Sequence, residues 1–188
     1  MKKTVFILLL AILSISAFSQ KGDLAVGAKG GYIYSPVDFK YSGILYGFDV
    51  AYHLSDPFEI AFTGLMNPNI SRSSQSDNDN NIAVYSANID LRLYLIHQQT
   101  WATGPVLGGQ YYIVEHKNEK VSYLGTDKKM GFNIGWHFRI DLTDNLKINA
   151  GWRYTNVKFK DPKSQYDMSL DASHHLFYLG IAYTFETK

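Results

Sequence analysis

The chain has 188 residues, with 18 Lys and Arg against 17 Asp and Glu, and it contains no cysteine. That is one domain's worth of sequence, and a near-neutral charge without a basic tract argues against nucleic acid as a partner. Absent cysteine excludes both a disulfide framework and lipidation at a mature N-terminal Cys, while 14 Tyr, 11 Phe and 15 Gly against 5 Pro favour strands.

At the start, Lys2 and Lys3 precede an apolar run from Val5 to Leu13, and Ala17-Phe18-Ser19 places small residues where a signal peptidase reads them. Residues 1–19 therefore read as a secretory signal cleaved after about Ser19, leaving 20–188 as a single barrel domain. The apolar stretch is too short for the roughly 20 residues that a spanning helix needs. Cleavage removes two lysines and no acid, which moves the net charge to about −1.

Beyond the signal, no useful helical period appears; apolar residues instead recur at every second position. Leu24–Tyr34 sets Leu24, Val26, Ala28 and Tyr32 against Ala25, Gly27, Lys29 and Gly31. Ile44–Leu54 sets Ile44, Tyr46, Phe48, Val50 and Tyr52 against Leu45, Gly47, Asp49, Ala51 and His53. Phe58–Met66 opposes Phe58, Ile60, Phe62 and Met66 to Glu59, Ala61 and Thr63. Ala83–Leu95 opposes Tyr85, Ile89, Leu91 and Leu93 to Ser86, Asn88, Asp90, Arg92 and Tyr94.

Trp101–Val114 is the least regular segment, and its Pro105 has no amide for a ladder, which predicts a late start or a bulge there. Met130–Leu142 is the clearest: Met130, Phe132, Ile134, Trp136, Phe138, Ile140 and Leu142 alternate with Gly131, Asn133, Gly135, His137, Arg139 and Asp141. Leu146–Tyr154 sets Leu146, Ile148, Ala150 and Trp152 against Lys147, Asn149, Gly151 and Arg153. Phe177–Phe185 closes the series, with Phe177, Leu179, Ile181, Tyr183 and Phe185 against Tyr178, Gly180, Ala182 and Thr184.

The connections alternate in length. Ser55–Pro57, Ile96–Thr100 and Thr143–Asn145 are short; Ser35–Ser42, Asn67–Asn81, Glu115–Lys128 and Lys158–Ser173 are long and polar. Short turns on one rim and long loops on the other are the pattern of an outer-membrane barrel, and an even strand count brings both termini to the periplasmic rim. The expected fold is all-β: an eight-stranded antiparallel up-and-down transmembrane β-barrel.

Which face meets lipid follows from size and charge. An eight-stranded barrel has room inside only for modest side chains or one small ligand, so it cannot enclose Tyr46, Phe48, Tyr52, Phe62, Tyr85, Trp136, Phe138, Trp152, Phe177 and Tyr183 together. The opposite face carries glycines, from Gly27 and Gly31 to Gly151 and Gly180, which suit a crowded interior. It also carries Lys29, Asp49, Glu59, Asp90, Arg92, Arg139, Asp141, Lys147 and Arg153. Facing lipid at the midplane, a Lys or Arg costs about 2 to 4 kcal/mol; in a shared lumen these groups can neutralise one another. The nine form a candidate lumenal charge network.

The last strand, Leu179-Gly180-Ile181-Ala182-Tyr183-Thr184-Phe185, resembles the terminal signature by which outer-membrane barrels are recognised for insertion. With the leader and the loop pattern, the mature chain resembles the small outer-membrane β-barrel family of the OmpA/OmpX type, although Glu186-Thr187-Lys188 follow the aromatic that ends many relatives. The resemblance implies residence in the outer membrane, contact with its lipid, and delivery by a barrel-insertion machinery reading Leu179, Ile181, Tyr183 and Phe185.

No cofactor is expected, and none of the remaining motifs defines a catalytic or metal site. Asp77-Asn78-Asp79-Asn80-Asn81 begins like a calcium loop but lacks its Gly and Glu. His116, His174 and His175 have no further ligand at a recognisable spacing. Ser173 beside His174 raises a lipid-modifying hydrolase as an alternative, without a motif that fixes a base and its orienting group. A small-solute channel or transporter, opening laterally near Pro105, is a second alternative. The leading expectation is a non-enzymatic barrel with a filled lumen that serves envelope structure, or binds a surface ligand or partner protein through its long loops. Lys117-Asn118-Glu119-Lys120, Tyr111, Tyr112, Tyr123 and Tyr166 are the loop-side candidates, with an interfacial aromatic belt as the competing role for the tyrosines.

Overall fold

The computed structural model describes residues 22–36, 41–71, 80–118, 121–160, 169–171 and 173–185. Among these residues there is no helix; the chain crosses with strands. The elements are β1 (Leu24–Ser35), β2 (Tyr41–Ser55), β3 (Phe58–Ser71), β4 (Asn80–Leu93), β5 (Ile96–His97), β6 (Trp101–Asn118), β7 (Val121–Asp141), β8 (Leu146–Asn156), β9 (Lys158–Lys160), β10 (Ser169–Asp171) and β11 (His174–Phe185).

Eight long strands pair antiparallel in ring order β1, β2, β3, β4, β6, β7, β8, β11, and β11 returns to β1. That last pairing runs from Leu24↔Phe185 to Tyr34↔His175, so the first and last strands form the seam. Closure leaves the spanning part of the sheet without an edge, which satisfies the backbone of a strand surrounded by lipid. The bulky set faces out: Phe48, Phe62, Trp136, Phe177, Leu179 and Tyr183 are all exposed, and the residues between them are covered. An unbroken apolar girdle of this extent is foreign to a water-soluble surface. It meets acyl chains.

The strands begin where the alternation predicts but run further at their outer ends. β3 continues to Ser71, β6 to Asn118, and β7 starts at Val121, so most of the expected loop Glu115–Lys128 is a paired hairpin. At this end the inward positions also become apolar (Ile33, Leu45, Leu65, Ile82, Val84, Val114), and the period-2 contrast fades from the sequence. The expected long loop Lys158–Ser173 likewise contains the small β9–β10 ladder, from Ser169↔Lys160 to Asp171↔Lys158.

Pro105 departs from expectation. β6 starts on time at Trp101, and Pro105 is in register with Trp136 of β7. The irregularity lies across the other edge: between Arg92↔Val106 and Ile96↔Thr103, residues 93–95 face only 104 and 105. The strand opposite carries an extra residue where Pro105 has no N–H to offer, and the β6–β7 register runs on unbroken through Pro105. The tight turn that follows is accordingly shorter than Ile96–Thr100, because Ile96 and His97 pair with Thr103 and Ala102.

The lumenal charge network as candidate functional site

The interior is layered along the barrel axis. In the periplasmic half, Ala25, Ala51, Ala61 and Ala182 form a cluster of small buried residues. Towards the outer face, Ile33, Tyr41, Leu45, Leu65, Ile70, Ile82, Val84, Tyr112, Val114, Val157, Leu176 and Tyr178 form one apolar cluster. The charge network runs beneath the apolar cluster and past the alanines towards the periplasmic mouth, where Glu59 and His53 stand two residues nearer the short turn than Ala61 and Ala51.

Its centre is Asp49 on β2. Lys29 Nζ donates to Asp49 Oδ1 at 2.6 Å and to Thr63 Oγ1 at 3.3 Å, and the Thr63 hydroxyl donates to the same Oδ1 at 2.5 Å. Arg92 reaches both oxygens of that carboxylate from Nη2, at 2.8 and 3.0 Å, while its Nη1 donates to Glu59 Oε1 at 2.5 Å. One guanidinium thus serves two acids, a task suited to Arg's planar fork. Glu59 also accepts from the Tyr94 hydroxyl at 3.2 Å. A separate pair crosses the lumen: Arg153 on β8 bonds Asp90 on β4. Lys29, Asp49, Glu59, Asp90, Arg92 and Arg153 are each no more than 3% exposed.

Nearer the periplasm, Glu59 Oε2 lies 3.2 Å from His53 Nε2, which in turn is 2.5 Å from Arg139 Nη1. Arg139 Nε is 3.1 Å from Asp141 Oδ1, and Lys147 stands directly across the β7–β8 ladder from Asp141. All nine charges selected from the sequence therefore sit on inward positions, and eight of them take part in ion pairs; Lys147 lies beside the set at the mouth.

Aromatic rings the sequence reading left aside complete the site. Lys29 Nζ lies 4.6 Å from the centroid of the Tyr178 ring, Arg153 approaches the same ring at 5.6 Å, and Arg139 sits 4.7 Å from Tyr94. Cations held over ring faces in a dry interior gain from the ring quadrupole. Tyr178 also meets His137 Nδ1 at 3.0 Å through its hydroxyl. Space for it comes from Gly151, where a Cβ would strike the Tyr178 hydroxyl. The signal was present: Tyr94 and Tyr178 are bulky residues on the small-residue phase of their strands.

The other sequence candidates disperse. Tyr111 is exposed on the lipid face, but Tyr112 is fully buried, its hydroxyl 2.6 Å from that of Tyr41; it belongs to the apolar cluster rather than to a loop surface or an aromatic belt. His174 is buried and stacked on Tyr112 at 5.0 Å, whereas His175 points out to Trp152, so the two cannot ligate one metal. Among the described residues no group of three His, Asp or Glu is placed to hold a metal ion. Ser173 is buried, with Oγ accepting the Val157 amide at 3.2 Å, and faces away from lipid. Insertion-signal residues Leu179, Ile181, Tyr183 and Phe185 are all exposed on the outer face of β11. The leader at 1–19, the segment 77–79, Glu119, Lys120, Tyr166, the last three residues, and the side chains of His116, Lys117, Asn118 and Tyr123 lie outside the described residues.

Comparison with known proteins agrees with this architecture. The Neisserial surface protein A barrel superposes with a TM-score of 0.62 at 12% identity, covering 88% of this chain and 100% of that one. The outer membrane protein OprG of Pseudomonas aeruginosa gives 0.61 at 12% identity, over 90% and 98%. Ail, the attachment invasion locus protein of Yersinia pestis, gives 0.52 at 14%, over 89% and 100%. No curated protein matches at the level of sequence. The outer membrane protein beta-barrel domain family matches residues 5–185, nearly the whole chain, and its members reside where a lipid-facing girdle and a closed sheet require. The chain belongs to the outer membrane protein beta-barrel domain family and is an outer-membrane β-barrel protein.

Proposed function

We propose that this barrel is a non-enzymatic surface protein that acts through the part of its sheet projecting beyond the membrane. The observation that carries the reading is the β6–β7 hairpin. Among the described residues, β7 pairs with β6 from Val121 onward with an irregularity between Val121 and Gly125, β9 lies against the base of this extension, and β8 joins β7 only at Phe132, so residues 121–131 show a ladder to β6 alone. Such an edge offers unpaired amides and carbonyls in a row, a template for an extended segment of another protein. Within the membrane, every edge is closed.

The filled lumen supports the same reading over a channel, because the charge network and the apolar cluster occupy the cross-section at successive heights. The regular β6–β7 pairing through Pro105 gives a lateral solute exit there no support. The buried Ser173 and His174 likewise give no footing to a lipid hydrolase, whose substrate would lie on the other face of the sheet. Outer-membrane lipid and the insertion machinery remain the partners that the lipid-facing girdle and the last strand call for.

Trypsin added to intact cells should cut within the hairpin, where Lys117, Lys120 and Lys128 stand; complete protection would sink the surface reading. In planar bilayers the purified barrel should show no steady conductance, and a stable open level would favour the channel instead.

A further inference from the structure

Three histidines among the described residues lie on inward positions, and they differ in their access to water. His137 and His174 are 0% and 1% exposed. The His53 side chain keeps 15% of its surface at the periplasmic mouth, where the Asp141 side chain keeps 19%. Protons therefore reach His53 from the periplasm. Its Nε2 stands between two groups that make opposite demands on it: Arg139 Nη1 lies 2.5 Å away, and Oε2 of Glu59, the ladder partner of His53, lies 3.2 Å away. A guanidinium only donates. The Glu59 carboxylate only accepts, since its Oε1 takes the Arg92 bond and its Oε2 the Tyr94 hydroxyl. One ring nitrogen cannot serve both. With a lone pair it accepts from Arg139 and opposes its electrons to those of Glu59; with a proton it donates to Glu59 and meets Arg139 donor to donor.

Arg139 has a second acceptor within reach. Its Nε is 3.1 Å from Asp141 Oδ1 and its Nη2 is 3.5 Å from Oδ2, while the guanidinium lies over the Tyr94 ring at 4.7 Å. The nearer of these contacts is an ion pair without hydrogen-bond geometry, so among the described residues Arg139 Nε and Asp141 Oδ1 are both buried with no hydrogen-bond partner. A small turn of the guanidinium towards Asp141 would satisfy both atoms. His53 itself is held fast: its ring stacks parallel to Tyr94, with 6.5 Å between centroids and 9° between planes, and its amide donates to the Asp23 carbonyl at 3.0 Å. The arginine is the part free to move.

We propose that His53 is a proton-operated selector at the periplasmic mouth: neutral, it holds Arg139; protonated, it bonds Glu59 and releases Arg139 to Asp141. Imidazole is the side chain whose charge ordinarily changes between about pH 5 and 8. The charges facing the ring set how readily this happens. Asp23, ahead of β1, and Glu59 on β3 attract the added proton, whereas Arg139 on β7 and Lys147 on β8 repel it. Deeper on β2 and β4, Asp49 and Arg92 are engaged with each other and stay outside the exchange. The apolar cluster above takes no part in it either, so what responds to acidity is the mouth of the barrel alone.

The test uses the full barrel in phosphatidylcholine nanodiscs, with nitrogen-labelled His and Arg, titrated from about pH 8 to about pH 4.5. The nitrogen shifts of His53 and of Arg139 Nε and the ring shifts of Tyr94 are the readouts. At the alkaline end His53 should carry its proton on Nδ1 with a lone pair on Nε2, and on acidification the three residues should change together at one midpoint. His53→Gln should abolish the pH response of Arg139 and Tyr94. Asp141→Asn, which weakens the alternative acceptor, should cut the Arg139 response about twofold and weaken proton uptake by His53 about threefold, as loss of one modest hydrogen bond does. Asp144→Asn makes the same charge change on the exposed turn that follows and should alter either by less than about twofold. A His53 that stays neutral to the acid limit, an Arg139 response that survives His53→Gln, or equal effects of Asp144→Asn and Asp141→Asn would overturn the proposal. Compact migration of each variant on unboiled gels confirms that the barrel is intact.

Discussion

The two halves of the lumen solve one packing problem in opposite ways. Below, the space between strands is filled by charges that meet across it: Lys29 with Asp49, Arg92 with Asp49 and Glu59, Arg153 with Asp90. Above, it is filled mainly by Ile33, Leu45, Leu65, Val84 and Val114, with the Tyr41–Tyr112 hydroxyl pair and the buried Ser173 and His174 as its uncharged polar members. Apolar filling tolerates small errors of register, since methyl groups pack in many ways, and its cost of failure is a cavity. Ionic filling tolerates none. A buried charge whose partner is removed pays its full desolvation, whereas a pair replaced by apolar groups of similar volume is often neutral. The polar half therefore specifies which strands meet, and the apolar half seals what they enclose.

The sharpest way to break this contrast is Arg92→Met, which keeps volume but leaves Asp49 and Glu59 buried without their shared cation. It should cost about 3 to 5 kcal/mol, measured by urea unfolding of the barrel in detergent. Next, Leu45→Ala in the apolar half should cost about 2 to 4 kcal/mol by leaving a cavity. The size of that loss should follow side-chain volume across a Met, Val and Ala series, while changes at position 92 should follow charge. Tyr112→Phe should cost about 1 kcal/mol, the worth of one hydrogen bond. The smallest net effect belongs to Asp90→Leu with Arg153→Met: each single change should destabilise by about 3 kcal/mol, yet the double variant should return to within about 1 kcal/mol of the parent. A double variant as unstable as the sum of its singles would mean that the two charges do not act as a pair.

Much of this was legible in the residues. Period-2 alternation in Met130–Leu142 and its counterparts gives the strands, and the size of Trp136 or Phe177 against the glycines opposite gives the lipid side. What alternation cannot convey is who meets whom inside. Asp90 and Arg153 lie on strands separated in the ring by β6 and β7, and only the stagger of the closed sheet brings them together. The apolar seal was harder still to see. Where Ile33 and Leu45 turn inward beside outward Tyr32 and Ile44, both faces are greasy, the contrast vanishes, and the strand reads as if it ended. Tyr112 illustrates the result: next to exposed Tyr111 and near the end of the legible pattern, it looked like a surface residue.

The seam between β1 and β11 has a consequence for assembly. Because the first strand waits for the last, and because Asp90 finds its guanidinium only on β8, a chain truncated before β8 holds one acid, Asp90, whose neutralising base has not arrived, while Asp49 and Glu59 already have Lys29 and Arg92. Partial rings are thereby penalised electrostatically as well as by their open hydrogen bonds. Completion should be abrupt: a barrel lacking its final two strands gains little from the six already paired, and the finished cylinder, once locked, has no inexpensive route back.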